Sequence, residues 1–193
     1  MAEDLPTFPT APPDRIELPH GRCLARVSVA RTAAVVAAVN ASLDHLRPWM
    51  AWAAEPATEA AIGTFLAAAE QLFEDRHDFG YSILAADGTS VVGGAGLHGR
   101  LGLDALEIGY WVAADEIGRG VATDVARALS SAAFAIEGIG RVEIHCEESN
   151  VRSARVPEKL GYRFDGVVVP EEGPVVGRSS QVWSVRRADW SGR

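Results

Sequence analysis

Alternation dominates the start of this chain. In residues 22–29, Arg-Cys-Leu-Ala-Arg-Val-Ser-Val, apolar and polar side chains trade places and predict a strand. The rhythm then lengthens. Residues 30–70 carry 15 alanines, strong helix formers. Val35, Val36, Val39 and Leu43 lie on one helical stripe, which Pro48 ends. Ile62, Phe65, Leu66, Ala69, Leu72 and Phe73 form a second stripe at helical spacing. From about residue 79 glycine takes over: ten of the 19 fall between 80 and 120. Residues 81–85, 91–97 and 106–112 read as strands there, joined by turns at Asp87-Gly88 and Leu101-Gly102-Leu103-Asp104. Val121, Val125, Leu129, Ala132 and Ile136 mark a helix, 141–146 a strand and 150–160 a short helix. A further strand opens at Gly161-Tyr162, and 180–187 is the last. The order β-α-α-β-β-β-α-β-α-β-β predicts an α/β fold, a mixed, mostly antiparallel central sheet flanked by helices.

Composition narrows the class. A chain of 193 residues with 48% apolar and 23% charged positions is one globular domain's worth. Residues 1–19 hold five of the ten prolines and read as an extended N-terminal arm, with 20–193 as a single domain. The net charge of −8 disfavours nucleic acid as a partner. No apolar run approaches a membrane span, and the acidic N-terminus is no secretory signal, so a cytoplasmic protein is expected. Cys23 and Cys146 are too few for a disulfide framework or a cysteine zinc site, and no metal is expected. All basic residues but Lys159 are arginines.

Candidate chemistry begins where a strand ending in Glu107-Ile-Gly-Tyr-Trp-Val112 leads to Gly118-Arg-Gly-Val-Ala-Thr123 at a helix start. A glycine loop before a helix is anion-binding geometry, because the unpaired first-turn amides and the helix dipole favour negative charge. A plain helix start reads the same way. Without Gly-Lys-Ser/Thr it is no P-loop. The antiparallel strands upstream, and Thr123 where a third glycine should stand, argue against a dinucleotide fold. Downstream comes Glu143-Ile-His-Cys-Glu-Glu-Ser-Asn150-Val-Arg-Ser153-Ala-Arg-Val-Pro157-Glu-Lys-Leu-Gly161-Tyr162.

Together these two blocks resemble the GNAT superfamily of acyl-CoA-dependent N-acetyltransferases, over about residues 15–190. Glu-Ile-Gly-Tyr-Trp-Val and His-Leu-Arg-Pro-Trp-Met at 45–50 are similar to the ribosomal-protein serine/alanine N-terminal acetyltransferases. The resemblance implies a GNAT fold using acetyl-CoA as cosubstrate. Gly118, Arg119, Gly120, Val121, Ala122 and Thr123 would cradle the pyrophosphate. The backbone of Trp111 and Val112 would pair with the pantetheine arm, and Asn150 would touch the arm from the far side. It implies an amine-bearing peptide as acceptor, with a small-molecule amine such as an antibiotic or polyamine as the alternative, and it allows a homodimer. A non-catalytic acyl-CoA-binding domain is the rival from another class.

Two departures from the family pattern stand out. Ile117 replaces a frequent Gln or Arg, and Pro157 occupies the place of the tyrosine that protonates the leaving thiolate in many members. Ser153, one helical turn earlier, is the substitute candidate, or else a helix-start hydroxyl bonded to backbone. Glu107 and His145 are candidate bases, or else an arginine-paired carboxylate and a structural histidine. Cys146 should face away from His145 and pack. Arg152, Arg155 and Lys159 form a basic stripe that could meet the 3′-phosphate of coenzyme A or simply face water. Trp49 and Trp52 could line a substrate groove, while Trp111 and Trp183 look like sheet packing.

Overall fold

The computed structural model describes residues 5–169 and 177–192. Eight strands form one sheet in the order β1-β2-β3-β4-β5-β6-β8-β7. They are β1 (Arg15–Glu17), β2 (Cys23–Arg26), β3 (Asp78–Leu84), β4 (Val91–His98), β5 (Ala105–Val112), β6 (Arg141–Glu147), β7 (Arg163–Val168) and β8 (Ser180–Arg186). Every pairing is antiparallel except β5 with β6. The helices are α1 (Thr32–Ala41), α2 (Leu43–Leu46), α3 (Glu59–Glu74), α4 (Val121–Ala135) and α5 (Val151–Lys159). The mixed, mostly antiparallel sheet flanked by helices matches the expectation.

Burial follows the period-2 alternation of the strands. Leu106 and Ile108 of β5 join a cluster with Val121, Val125 and Leu129 of α4. Trp111, on the opposite face of β5, packs with the α1–α2 cluster around Val35, Val39, Leu43 and Leu46. Burying these apolar faces is the main driving force for the fold.

Local details depart from the sequence pattern in instructive ways. The stripe Val35, Val36, Val39, Leu43 is not one helix: α1 stops at Ala41, Ser42 breaks the geometry, and Leu43 opens α2 ahead of Pro48. Phe65 is exposed, because α3 turns only Leu66 and Phe73 fully inward. Pro157 does not break α5, which runs on to Lys159. That helix ends at Leu160, where Gly161 takes φ +77° and the Tyr162 amide reaches back to the Pro157 carbonyl at 3.0 Å.

The proline-rich segment is stitched to the domain over its described part. β1 pairs with β2, and Phe8 is fully buried, with its ring centroid 5.8 Å from that of Phe79. The Phe8 amide donates to the Arg76 carbonyl, and Arg76 donates to the Pro9 carbonyl. Truncating a fully buried phenylalanine leaves a cavity worth about 3–5 kcal/mol. Phe8→Ala should therefore lower unfolding free energy by about 3 kcal/mol or more in urea titrations. A loss below about 0.5 kcal/mol would mean the segment is not part of the cooperative core.

Candidate active site

The parallel strands β5 and β6 pair at Ala105↔Arg141, Leu106↔Val142 and Glu107↔Glu143, and there the pairing ends. Beyond those rungs β5 keeps β4 as partner out to Val112, and β6 keeps β8 out to Glu147. Two strands that each hold their outer neighbour while parting from one another leave a wedge lined by open backbone edges. A single 3-10 turn, Ala114–Glu116, and then the glycine loop carry the chain from β5 to α4, so the start of α4 lies beyond the open end of the wedge.

Gly118 and Gly120 have φ of +79° and +81°, left-handed backbone that side chains disfavour. Both are exposed, with space where a Cβ would stand. α3 and α5 open on side-chain caps, Thr58 to the Ala61 amide and Asn150 to the Ser153 amide. α4 has no such cap. The first-turn amides of Val121, Ala122 and Thr123 are thus left for another acceptor. Arg119 donates to Glu116 at 3.2 Å, and Glu116 also accepts from Arg22 at 2.7 Å, so the arginine stays beside the loop.

On the α4–α5 side of the wedge, the Tyr110 hydroxyl lies 2.9 Å from Ser153 Oγ and 3.4 Å from the Ser153 carbonyl. That carbonyl is the one whose amide partner one helical turn on would be residue 157, and proline has no N–H to offer. A phenol from the neighbouring strand stands in for it. Burial pushes the Tyr110 pKa up, against the pull of the Ser153 hydrogen bond. Cys146 packs here as expected, buried, its thiol pushed up to about 11 by burial with Ser153 partly offsetting it. The Asn150 side-chain Oδ1 is engaged in capping α5, accepting from the Ser153 amide.

The opposite face carries charge. Glu107 is 7% exposed, and Arg100 grips both of its oxygens at 2.6 Å. Burial works to raise the Glu107 pKa, but the Arg100 hydrogen bond and charge outweigh it and hold the carboxyl below its usual value. His145 bonds Glu143 through Nε2 at 2.6 Å, and its Nδ1 lies 3.8 Å from Glu107. Burial opposes its cation, yet Glu143 and Glu107 raise its pKa above the ordinary value. Next to this pair, His98 bonds Asp78. The Trp52 and Trp111 ring centroids meet edge to face at 6.1 Å. Arg178 pairs with Glu147 and donates to the Pro48 carbonyl at 2.7 Å, tying the α2–α3 connection to the end of β6.

Thus Glu107 and His145 come together on one face, while Ser153 lies on the other side of the wedge with Tyr110 and Cys146. Arg152, Arg155 and Lys159 are all exposed on α5. The sequence reading singles out none of Asp78, His98, Arg100 or Tyr110. Alternation alone puts Tyr110 opposite Glu107 and Trp111, the one signal that could have found it. The other three depend on cross-strand register.

Comparison with known proteins fits this geometry. The acetyltransferase (GNAT) domain profile matches residues 24–163, and the chain belongs to that family. YdaF of Bacillus subtilis (strain 168), which bears the name of a ribosomal N-acetyltransferase, is 38% identical over 60 residues. That match spans 31% of this chain and 33% of YdaF, about a third of the relative's length. The microcin C7 self immunity acetyltransferase MccE, solved with acetyl-CoA and AMP, superposes with a TM-score of 0.79 at 18% identity. That superposition covers 90% of this chain and 97% of MccE. Mycobacterium smegmatis RimJ, in complex with CoA-disulfide, gives 0.78 at 22% identity over 92% of this chain and 88% of RimJ. RimL, a ribosomal L7/L12 alpha-N-protein acetyltransferase bound to coenzyme A, gives 0.78 at 16%, over 89% and 97%. Likenesses this distant establish the fold.

The carboxylate-flanked histidine has a thermodynamic signature. With its folded pKa raised, ionised His145 stabilises the fold fully below its unfolded value of about 6.5, and that contribution fades as pH rises through the folded value. The melting-temperature advantage of the wild type over His145→Gln should be largest near pH 6 and shrink on the alkaline side. An advantage that grows with pH would contradict the raised pKa.

Proposed function

We propose that this protein is an acetyl-CoA-dependent N-acetyltransferase that acylates a primary amine by direct attack, the acceptor being a protein N-terminal α-amine. One observation carries the reading: a wedge between β5 and β6 opens toward an uncapped helix start preceded by two left-handed glycines. Acetyl-CoA supplies an acyl thioester there. Val121, Ala122 and Thr123 amides, with Gly118, Arg119 and Gly120, form the cradle for its pyrophosphate. The backbone of Trp111 and Val112 offers the open edge of β5 to the pantetheine arm, with Asn150 on the far side. A strand N–H near Val112 stabilises the developing oxyanion.

Ser153 takes the place of the tyrosine absent at 157. Tyr110, kept neutral by burial, retains its proton and shares it between Ser153 Oγ at 2.9 Å and the Ser153 carbonyl at 3.4 Å, which leaves the serine hydroxyl's own proton for the departing sulfur. Glu107 and His145 form the charged wall on the acceptor side.

The relatives named for ribosomal proteins support an α-amine acceptor. So does acid–base chemistry. An α-amine has a pKa of about 7.7–8.0, whereas a lysine side chain at about 10.4 starts roughly 3.5 kcal/mol deeper in its protonated form. A site whose carboxylates are already committed to Arg100 and His145 suits the less demanding amine.

Acetyl-CoA should stabilise the fold by about 2.7 kcal/mol at a hundredfold excess over Kd, and NAD should not. Equal thermal shifts with both ligands would sink the assignment. Gly120→Val imposes about 1–2 kcal/mol of left-handed strain, so acetyl-CoA affinity should fall tenfold or more in a folded protein. Unchanged affinity would make the loop a plain helix start.

A thiol-release screen across peptides beginning with Ser, Ala or Met, matched lysine peptides and small amines identifies the acceptor. Faster lysine or polyamine turnover would overturn the α-amine reading. Binding of acetyl-CoA without thiol release from any amine would make the protein a binding module.

A further inference from the structure

His98 closes β4 directly opposite Glu107 of β5 and Asp78 of β3. Its imidazole lies across a floor of two glycines. Gly96 and Gly109 are paired in register; a methyl built on Gly96 would fall 2.9 Å from Cε1, and one on Gly109 would fall 2.8 Å from Nε2. The ring can occupy this place only because both positions lack a side chain. Nδ1 meets the Asp78 carboxylate at 2.8 and 3.1 Å. That contact assigns the Nδ1 proton to the bond with Asp78, which leaves the Nε2 lone pair free. Among the described residues, no hydrogen bond engages Nε2. Gly109, beneath it, is two positions past the last β5–β6 rung at Glu107, inside the stretch where the strands part. The side chain is 29% exposed, within reach of a ligand entering from that face.

The neighbouring candidates have no such freedom. Both Glu107 oxygens are bound by Arg100, and His145 has one ring nitrogen on Glu143 and the other facing Glu107. We infer that His98, oriented by Asp78, is the general base that takes the proton from the acceptor amine. This rests on the N-acetyltransferase reading. The amine lone pair forms the N–C bond at the thioester carbonyl, and one proton passes from that nitrogen to Nε2. The C–S bond breaks with its electron pair on sulfur, which takes the Ser153 hydroxyl proton to become the thiol, and the serine regains a proton from water. The imidazolium, held beside Asp78, returns its proton to water. The charged and titratable groups facing the His98–Asp78 dyad are Glu107 on β5, Arg100 in the turn after β4, and His145 on β6 beyond Glu107. The three glycines Gly94, Gly96 and Gly109 acquire a role here. Gly94 does for the Trp111 indole what the other two do for His98.

The test uses the full chain and a free-N-terminus peptide that the wild type acetylates. The readouts are kcat, the acetyl-CoA Kd and circular dichroism. His98→Gln should lower kcat about a hundredfold or more, the range for loss of a general base, with acetyl-CoA Kd within about twofold and an unchanged spectrum. Asp78→Asn should lower kcat by less than His98→Gln, because the base is kept but no longer oriented. His145→Gln should also cost less kcat than His98→Gln. A near-native kcat in His98→Gln would overturn the inference, as would a larger loss in His145→Gln. If the wild type releases no thiol with any amine, the transferase reading itself fails, and that failure shows before any variant is made.

Discussion

Two neighbouring strands that stop pairing partway along determine most of what this protein can do. Backbone N–H and C=O groups need partners, and a buried strand edge without them is costly. β5 and β6 each keep one side satisfied, by β4 and β8, and leave the facing sides open beyond Glu107 and Glu143. An extended ligand arm with amide groups answers that open edge as a further strand would. The remaining features are arranged around the gap. α4 starts at its mouth, Tyr110 and Ser153 flank it on one side, and the Glu107–His145–His98 group flanks it on the other.

Charge on the acceptor face is held in place by cross-strand partners and not by the net charge of the chain. Arg100 and Glu107, Glu143 and His145, Asp78 and His98 form three pairs, the first two linked by His145 Nδ1 at 3.8 Å from Glu107, whose members come from β3, β4, β5, β6 and one turn. In the proposed function, an acceptor amine arriving there would meet fixed dipoles and ion pairs that need little rearrangement, the condition under which electrostatic stabilisation is strongest.

The sequence reached some of this and not the rest, for identifiable reasons. The glycine loop and the Asn150–Tyr162 block carry local signals, because a left-handed turn and a capped, glycine-terminated helix are written in adjacent residues. Strand faces follow from alternation, which puts Glu107 with Trp111 and Glu143 with His145. Alternation gives no register. Nothing local pairs Asp78 with His98 or Gly96 with Gly109, so the glycines read as composition when they are the floor beneath a ring. The helical stripe through Leu43 failed because Ser42 breaks the backbone in a way apolar spacing does not reveal. Strand β1 is three residues long in a proline-rich stretch, too short for a pattern.

The substitution of proline for tyrosine on α5 reaches beyond that helix. Once the amide at 157 is gone, the Ser153 carbonyl depends on a hydroxyl from β5, 43 positions away in the chain. The same hydroxyl sets the direction of the serine side chain. Position 110 is therefore not free to drift while position 157 is a proline. Phenylalanine would fill the same volume but leave a helix carbonyl unpaired and the serine unaimed. In related chains the two positions should vary together, with a phenol at 110 required where 157 lacks an amide and dispensable where it has one.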